Sequence, residues 1–387
     1  MTGAKRGSRL RTWSGSPLSP ADDLPVHQVA EVIRHPATSD RNFYDRYYFN
    51  AHNGTADEPF LVLGLGVYPN LGVVDCFAVA RHGDDQIVFR ASKALGADRA
   101  DTVVGPLRLE VVEGLERLRI VLEPGADYDL AFDLTFTATG PAHLEPRHFH
   151  RQLERVTFDT QRFVQVGSWE GRLTVDGERF DASTWRGNRD RSWGVRPVGE
   201  AEPPGRRVTE AGNFFWIYSV LRLPEATICV VLQEDIRGRP VVEDATWIPH
   251  DGAEPRWLGH VAHDIDFVSG TRQARAARLA FTGSDGARTE VEIAILTANH
   301  FGFGTGYGLD QDWRHGMWQG EEKVEGRRFR VSELDVNLTM LVPVEYLATC
   351  TVRHPDGRTE EGEGLFEFGA IGPHTRYGFT QYVDPAP

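Results

Sequence analysis

The chain has 387 residues, of which 40% are hydrophobic, and a formal net charge of -14 at pH 7. This length predicts two domains, each with its own core. The negative charge argues against a nucleic-acid partner and against an anionic membrane surface, because both are bound through clustered lysine and arginine. No apolar run approaches the length of a membrane span, so we expect none.

The first 24 residues carry basic side chains among serine, glycine and proline, with no apolar stretch behind them. This composition predicts a disordered tail over residues 1–24 and not a signal peptide. Cys76, Cys229 and Cys350 each stand in a separate apolar run, which predicts buried, reduced thiols. We therefore expect a cytoplasmic protein, and the absence of Cys/His zinc spacing predicts no structural metal site.

Along the chain, apolar residues at helical spacing predict a short helix over residues 26–33, which Pro36 ends. An aromatic strand is predicted over residues 43–50. Further strands of the first half are predicted over residues 60–68, 73–81, 86–91, 107–112, 118–122 and 128–139. In the last of these, apolar and polar side chains alternate, as in a sheet with one dry face.

Strands continue through the second half, and no long helix alternates with them, so a parallel α/β sheet is excluded. They are predicted over residues 162–166, 169–175, 214–223, 227–233, 259–268, 276–281, 289–296, 334–341, 345–352 and 362–368. Many short antiparallel strands in each half predict an all-β protein with two barrels or two sandwiches.

A bridge rich in proline and histidine interrupts the first half over residues 140–152. His148 and His150 would share one face of an extended segment, and with His143 and Glu145 they offer metal ligands. Because a loop between prolines supplies no obvious supporting partners for metal ligands, we favour surface histidines over a metal site.

The central segment, residues 185–197, reads Trp-Arg-Gly-Asn-Arg-Asp-Arg-Ser-Trp-Gly-Val-Arg-Pro. Its turn residues and charges predict a loop leading into a strand. The arginines either form a salt-bridge network that fixes how two halves dock or face a ligand. Between arginines, Asp190 is predicted to have a lowered pKa, which would make it a poor general acid.

The Asp-Arg-Ser-Trp-Gly run at residues 190–194 resembles the Asp-His-x-Trp-Gly segment of the carotenoid hydratase-like superfamily. The resemblance implies two lipocalin-like antiparallel β-barrel domains, or barrel-like sandwiches, packed side by side over residues 25–180 and 181–387, the second beginning with the motif. It also implies a hydrophobic small molecule, isoprenoid or polyketide-like, and hydration, isomerisation or cyclisation without a cofactor. Two departures count against classical hydratase chemistry: Arg191 takes the place of the motif histidine, and no carboxylate stands on residues 214–220.

Two stretches supply candidate ligand contacts. Trp216 and Tyr218 lie two apart on one predicted strand and so share a face, where Trp193 could complete an aromatic box. The second stretch, residues 300–319, is a long glycine- and aromatic-rich loop, interpreted either as functional or as a cap on the second barrel. Its candidate ligand contacts are His300, Tyr307, Trp313 and Trp318. Its alternating glycines do not predict a dinucleotide site, because no βαβ unit contains them.

The residues predicted to polarise the ligand or move protons are Asp190, Arg191 and His315. Three hypotheses follow: an enzyme that needs no organic cofactor, a carrier of a hydrophobic small molecule, and an interaction module with filled barrels. The third predicts no internal cavity of ligand size. The identity of the ligand and the oligomeric state stay open at this stage.

Overall fold

The computed structural model describes residues 16–202 and 212–386, and its strands form two antiparallel sheets. The first thirteen strands are β1 (Phe43–Ala51), β2 (Phe60–Tyr68), β3 (Val73–His82), β4 (Asp85–Ala94), β5 (Val103–Val104), β6 (Leu107–Glu113), β7 (Arg117–Leu122), β8 (Leu130–Ala138), β9 (His143–Leu144), β10 (His148–Gln152), β11 (Arg155–Val175), β12 (Glu178–Asp181) and β13 (Arg186–Val195).

Ten further strands follow in the second part of the chain. They are β14 (Phe214–Arg222), β15 (Ala226–Glu234), β16 (Pro240–Pro249), β17 (Arg256–Trp257), β18 (His260–Phe267), β19 (Ala274–Thr282), β20 (Arg288–Asn299), β21 (Glu322–Arg330), β22 (Val344–Arg353) and β23 (Thr359–Ile371). Helical structure is confined to the short α1 (Val336–Thr339) and the 3-10 turns Pro20–Asp23, Ala182–Thr184, Val331–Glu333 and Thr375–Tyr377, within the described ranges.

Each sheet is curled or nearly closed, which confirms the all-β prediction of two lipocalin-like units. The first sheet runs in the order β21-β4-β3-β2-β1-β13-β11-β8-β7-β6-β5, and β9, β10 and β12 also pair with β11. The second runs β17-β16-β15-β14-β23-β22-β20-β19-β18.

Side-chain contacts show how the sheets curl. In the second sheet, Glu243 of β16 accepts a hydrogen bond from the backbone N–H of Val261 in β18, with 2.7 Å between the nitrogen and the oxygen. In the first sheet, Arg328 of the edge strand β21 pairs with Asp176, which follows β11, at 2.6 Å. Curling of this kind protects exposed strand edges.

The three largest hydrophobic cores of the described residues follow from period-two alternation along the strands. One fills the inside of the first curled sheet around Phe49, Phe136 and Trp169. Another fills the second around Phe215 and Phe368. The third lies between the two sheets and includes side chains from both, such as Val164, Trp216 and Leu365. Strands such as β2 and β14 are buried on both faces because they border an inner core and the core between the sheets.

The central segment is a strand and not a loop. β13 pairs with β1 on one side and with β11 on the other, in the middle of the first sheet. Three of its arginines find partners, two of them within the sheet: Gln165 accepts from Arg189 at 2.6 Å, and Asp45 accepts from Arg191. Arg186 bridges the sheets through an ion pair with Glu363 of β23. Arg186 therefore fits the interpretation that the arginines fix how the two halves dock, whereas Arg189 and Arg191 form hydrogen bonds within the first sheet.

The predicted boundary at residue 181 separates β13 from the sheet in which it lies, and β21 also returns to that sheet.

Two local predictions are wrong. Residues 26–33 form no helix, because Asp22 instead accepts a hydrogen bond from the backbone N–H of Ile33 at 2.8 Å. Residues 334–341 form no strand, because Asp335 caps α1. Of the predicted disordered tail, residues 1–15 lie outside the described residues, and Ser19 caps the 3-10 turn at Pro20–Asp23.

All three cysteines are buried and free of disulfide bonds, as predicted. No helix within the described ranges is both long and apolar enough to cross a membrane.

Candidate functional site

A cavity of about 690 Å³ lies between the two sheets. Strands β1, β11 and β13 of the first sheet contribute to its wall, as do β14, β22 and β23 of the second, the bridge around residue 145, and the loop of residues 301–315. A cavity of this size accommodates a small organic molecule. Its presence argues against the interaction-module hypothesis, which predicted no cavity of ligand size.

Alternation along the strands decides which side chains reach the cavity. On β14, Trp216 and Tyr218 face it, as their spacing predicted, while Phe215 points into the second core. On β13, Asp190 and Ser192 face it. The same alternation places Glu345 of β22 and Glu367 of β23 on the cavity face.

The aromatic wall forms a stacked series. The rings of Phe214 and Trp216 have centroids 5.8 Å apart, and those of Trp216 and Tyr218 lie 6.1 Å apart. His148 of the bridge extends the series, with its ring 5.0 Å from that of Phe158 and roughly parallel to it. His148 therefore lines the cavity and is not the surface histidine that we favoured. Burial lowers its pKa to about 4, so it is neutral at physiological pH.

Three carboxyl groups without a basic partner among the described residues line the cavity. Glu345 and Glu367 are direct cross-strand partners, and Tyr48 donates a hydrogen bond to Glu345 with 2.6 Å between the oxygens. Asp190 completes the set from the opposite sheet, and its charge raises the pKa of both glutamates. Within the described residues, Asp190 has no hydrogen bond or ion pair to its carboxylate.

Burial raises the pKa of all three groups. That of Asp190 rises to about 6 and that of Glu367 to about 7. Burial and the neighbouring Glu367 raise the pKa of Glu345 well above its usual range. The prediction of a lowered pKa for Asp190 is therefore wrong, because loss of hydration outweighs the nearby arginines. Near neutral pH the cluster holds protons that carboxyl groups in water would release.

A fourth carboxylate, Glu145, is held by partners. The Arg162 guanidinium lies 2.6 Å from its Oε2, and the Tyr218 hydroxyl donates to its Oε1 at 3.0 Å. Arg162 also stacks on the Tyr218 ring, with its Cζ 4.1 Å from the ring centroid. This buried ion pair fixes the orientation of the Tyr218 ring in the cavity wall.

His315 reaches the cavity from the long loop. Its Nε2 lies 3.2 Å from an Arg46 nitrogen, and its Nδ1 lies 3.6 Å from Asp75. Burial and the charge of Arg46 lower the pKa of His315 to about 4. A neutral ring can accept the Arg46 N–H through Nε2, which leaves that nitrogen a poor base toward a ligand.

The structure brings five of the ten predicted site residues together in the cavity wall: Asp190, Trp216, Tyr218, Tyr307 and His315. The other five lie outside that wall: Arg191, Trp193, His300, Trp313 and Trp318.

The reasons for the second group are local. Arg191 and Trp193 lie on the opposite face of β13, where Arg191 stacks on the Tyr47 ring at 3.8 Å. His300 is buried, and its backbone carbonyl accepts a hydrogen bond from Gln86 at 2.9 Å. Trp313 packs under the Arg90 guanidinium at 4.4 Å, and Trp318 is 49% exposed.

Sequence reasoning missed Glu345 and Glu367 as site residues, and it placed Glu145 only in a hypothetical metal site. We looked for a carboxylate on β14 itself, whereas Glu367 comes from β23, which pairs with β14, and Glu345 from β22, the next strand along the sheet. A signal was present: each glutamate stands between two apolar or aromatic neighbours, Glu345 between Val344 and Tyr346 and Glu367 between Phe366 and Phe368. Within the described residues, no group of three or more His, Cys, Asp or Glu is arranged to hold a metal ion.

A family model described as "Family of unknown function (DUF8625)" matches residues 18–380. The chain belongs to this family. No curated protein matches the DUF8625 chain. Among solved structures, it is similar to kievitone hydratase from Nectria haematococca, with a TM-score of 0.51 and 16% identity over 84% of this chain and 88% of that one.

Two further structures resemble the DUF8625 chain. A putative AttH from Nitrosomonas europaea has a TM-score of 0.44 and 14% identity, over 92% of this chain and 98% of that one. CghA with Sch210972 has a TM-score of 0.46 and 11% identity, over 85% and 88%. The likeness to kievitone hydratase confirms the carotenoid hydratase-like, lipocalin-type fold of the DUF8625 chain.

Proposed function

We propose that this protein binds a hydrophobic small molecule in the cavity between its sheets and catalyses its hydration, isomerisation or cyclisation by proton transfer, without an organic cofactor. The observation that carries the proposal is the carboxyl cluster of Asp190, Glu345 and Glu367 in an aromatic cavity of about 690 Å³. An isoprenoid or polyketide-like ligand fits the size of the cavity and its stacked rings.

The cluster suits proton transfer because burial favours the protonated forms of Glu345 and Glu367 near neutral pH, whereas Asp190, with a pKa of about 6, is mostly ionised there. A general acid works best when its pKa lies near the working pH, and the pKa of Glu367 is about 7. Glu367 is our candidate proton donor, since Glu345 already accepts the Tyr48 hydrogen bond. The faces of Trp216 and Tyr218 would stabilise positive charge that develops on the ligand.

In the hydration variant of the reaction, the Glu367 proton moves to one carbon of a double bond and leaves a cation at the other. The oxygen of a water molecule bonds to that cation and loses a proton to the Asp190 carboxylate. Transfer of this proton back to Glu367 restores the starting state, so no oxidant or other reactant is consumed. Isomerisation and cyclisation differ only in how the cation is quenched.

The test begins with the small molecule that stays bound when the protein is gently purified from its native host, identified by mass spectrometry. That compound is then incubated in H₂¹⁸O with the wild-type protein and with Glu367→Gln and Asp190→Asn. We expect conversion by the wild type, incorporation of ¹⁸O if the product is an alcohol, and at least about a hundredfold slower conversion by each variant.

Glu361→Gln is the matched control, because Glu361 is an exposed residue of the same strand, β23. It should convert the ligand at the wild-type rate. An unchanged ligand that binds equally well to the wild type and to Glu367→Gln would favour the carrier hypothesis. Conversion that persists in both variants would remove the carboxyl cluster from the mechanism.

A further inference from the structure

Within the part of the chain that the structure describes, three arginines of the cavity wall lack a carboxylate partner, and two of them, Arg46 and Arg196, lie on or beside β1; the third is Arg314 of the long loop. Arg46 is only 3% exposed, and its side-chain hydrogen bond goes to His315 at 3.2 Å. Arg196 also lines the cavity, and its buried Nε has no hydrogen-bond partner in the structure. Within the described residues, neither guanidinium lies within 4.0 Å of a carboxylate oxygen.

Burying a guanidinium without a carboxylate in contact is unfavourable unless something else compensates it, and for Arg46 only the more distant Asp75 and Asp190 carboxylates favour the charge. Two other arginines of this cavity illustrate the usual arrangement. Arg162 pairs with Glu145 at 2.6 Å, and Arg155 donates to Glu202 at 2.7 Å. The contrast indicates that Arg46 and Arg196 are kept for something that the protein chain does not supply.

Both guanidiniums lie beside the same part of β1. Tyr44 and Arg46 are two residues apart and line the cavity from the same face of the strand. Arg196 stacks on the Tyr44 ring, with its Cζ 4.7 Å from the ring centroid. Arg46 is held over the Tyr307 ring at 4.8 Å. Each fork therefore has a fixed aromatic support on the cavity wall.

The geometry points to an arginine clamp, formed by Arg46 and Arg196, that binds an acidic oxygen of the ligand, either a carboxylate or an ionised enol. Arginine suits this task because its planar fork donates two parallel hydrogen bonds to two oxygens. The ligand class deduced is an apolar molecule with an acidic end group at the β1 side of the cavity, away from the aromatic stack of β14. This inference rests on the proposed function, since it concerns the same cavity.

His315 takes a positioning role in this arrangement. Its neutral ring accepts from Arg46 and is itself held near Asp75. Asp75 is anchored in turn by the backbone N–H of Gly316, with 2.6 Å between nitrogen and oxygen. The Asp75–His315 pair therefore orients the Arg46 fork without neutralising it at short range.

The test compares two probes with the same isoprenoid body, retinoic acid and retinol, at pH 8, by quenching of tryptophan fluorescence. We expect the wild type to bind retinoic acid at least about tenfold tighter than retinol, because a charge-assisted hydrogen bond contributes about this factor to the affinity. Arg196→Gln and Arg46→Gln should each reduce this preference to less than about threefold while leaving the retinol affinity unchanged.

Arg155→Gln is the matched control, because Arg155 lines the same cavity but is already paired with Glu202. It should keep the preference. Because Arg46 is buried, each variant is checked for folding by its thermal melt, and the partly exposed Arg196 provides the independent case. Equal affinity for the two probes, or a preference that survives both substitutions, would overturn the clamp and leave the apolar pocket intact. Failure of the wild type to bind either probe would instead contradict the proposed function, and the clamp with it.

Discussion

Glu345 and Glu367 are directly opposite each other in β22 and β23, with both side chains on the face that lines the cavity. Glu345 is buried and Glu367 is partly buried, and two carboxyl groups at neighbouring positions disfavour each other's ionisation, so the pair retains a proton near neutral pH. Asp190 approaches this pair from the other sheet and raises the pKa of both. The fold thus brings carboxyl groups that retain a proton together from β13 and from the pair β22 and β23, which are far from β13 in the sequence.

The first prediction concerns stability against pH in Glu367→Gln. Because the pKa of Glu367 is raised from 4.5 to about 7, the folded state keeps a proton that the unfolded state loses across this range. Wild-type stability therefore falls as the pH rises through that window. Glu367→Gln has no such group, so its free energy of unfolding should rise relative to that of the wild type between pH 5 and 8. We expect the variant to gain about 1–2 kcal/mol relative to the wild type over this range. This is less than the energy that corresponds to the whole pKa shift, because Glu367 faces the cavity.

Urea titrations of both proteins at several pH values measure this difference, in which the titration of groups that Glu367 does not influence cancels; Glu345, whose pKa Glu367 raises, contributes in the same direction. Glu361→Gln, at an exposed position of the same strand, should show no such trend. A difference between wild type and Glu367→Gln that is independent of pH would show that Glu367 titrates normally.

The second prediction concerns the buried ion pair of Arg162 and Glu145. Arg162→Met leaves the Glu145 carboxylate, only 4% exposed, without its counter-ion, and should cost about 3 kcal/mol of stability. Combining it with Glu145→Gln removes the stranded charge and should recover at least half of that loss. Denaturant unfolding of the two single variants and the double variant measures the coupling. Additive losses would mean that the two side chains do not interact.

The sheets were largely predictable from sequence because strands with a period of two or with continuous apolar character carry a strong local signal. β2, for example, was predicted over the residues that it occupies, and Trp216 and Tyr218 were placed on one face by spacing alone. β13 was not predicted, because its charged residues are satisfied only by partners on β1 and β11. Local pattern cannot show such distant partners.

The candidate site was only half predictable for a related reason. Alternation decides that Asp190 reaches the cavity and Arg191 does not, but the phase of β13 is set by its neighbours in the sheet. Burial sets the direction of the Asp190 pKa shift, and the local sequence does not show burial. The arginines beside Asp190 in the sequence suggested the opposite direction. The two glutamates enter the site only because β23 and then β22 follow β14 in the order of the second sheet.

The third prediction concerns the protonation of His315. Its pKa should lie near 4, because burial and the Arg46 charge both disfavour the imidazolium. An NMR titration of the ring from pH 3.5 to 8 should show a neutral imidazole throughout the physiological range. Asp75→Asn removes a group that favours the charged form and should lower the pKa further. A His315 that titrates near 6.5 would show that its ring is in contact with water and does not hold Arg46.

The last prediction concerns Gly194, the glycine of the central motif. Its φ of 128° lies in the region that favours glycine, and a Cβ at this position would collide with the backbone carbonyl oxygen of Asp159 on β11. Gly194→Ala should therefore separate β13 from β11 locally and cost about 3 kcal/mol or more. Gly96→Ala is the control, because a Cβ there meets nothing within 4 Å, and its effect should stay within about 0.5 kcal/mol. Since β13 carries Asp190, the damage should extend to the site, so retinol binding should weaken in Gly194→Ala and not in Gly96→Ala. A Gly194→Ala protein with wild-type stability would mean that the strand pair adjusts freely, and the motif glycine would then need another explanation.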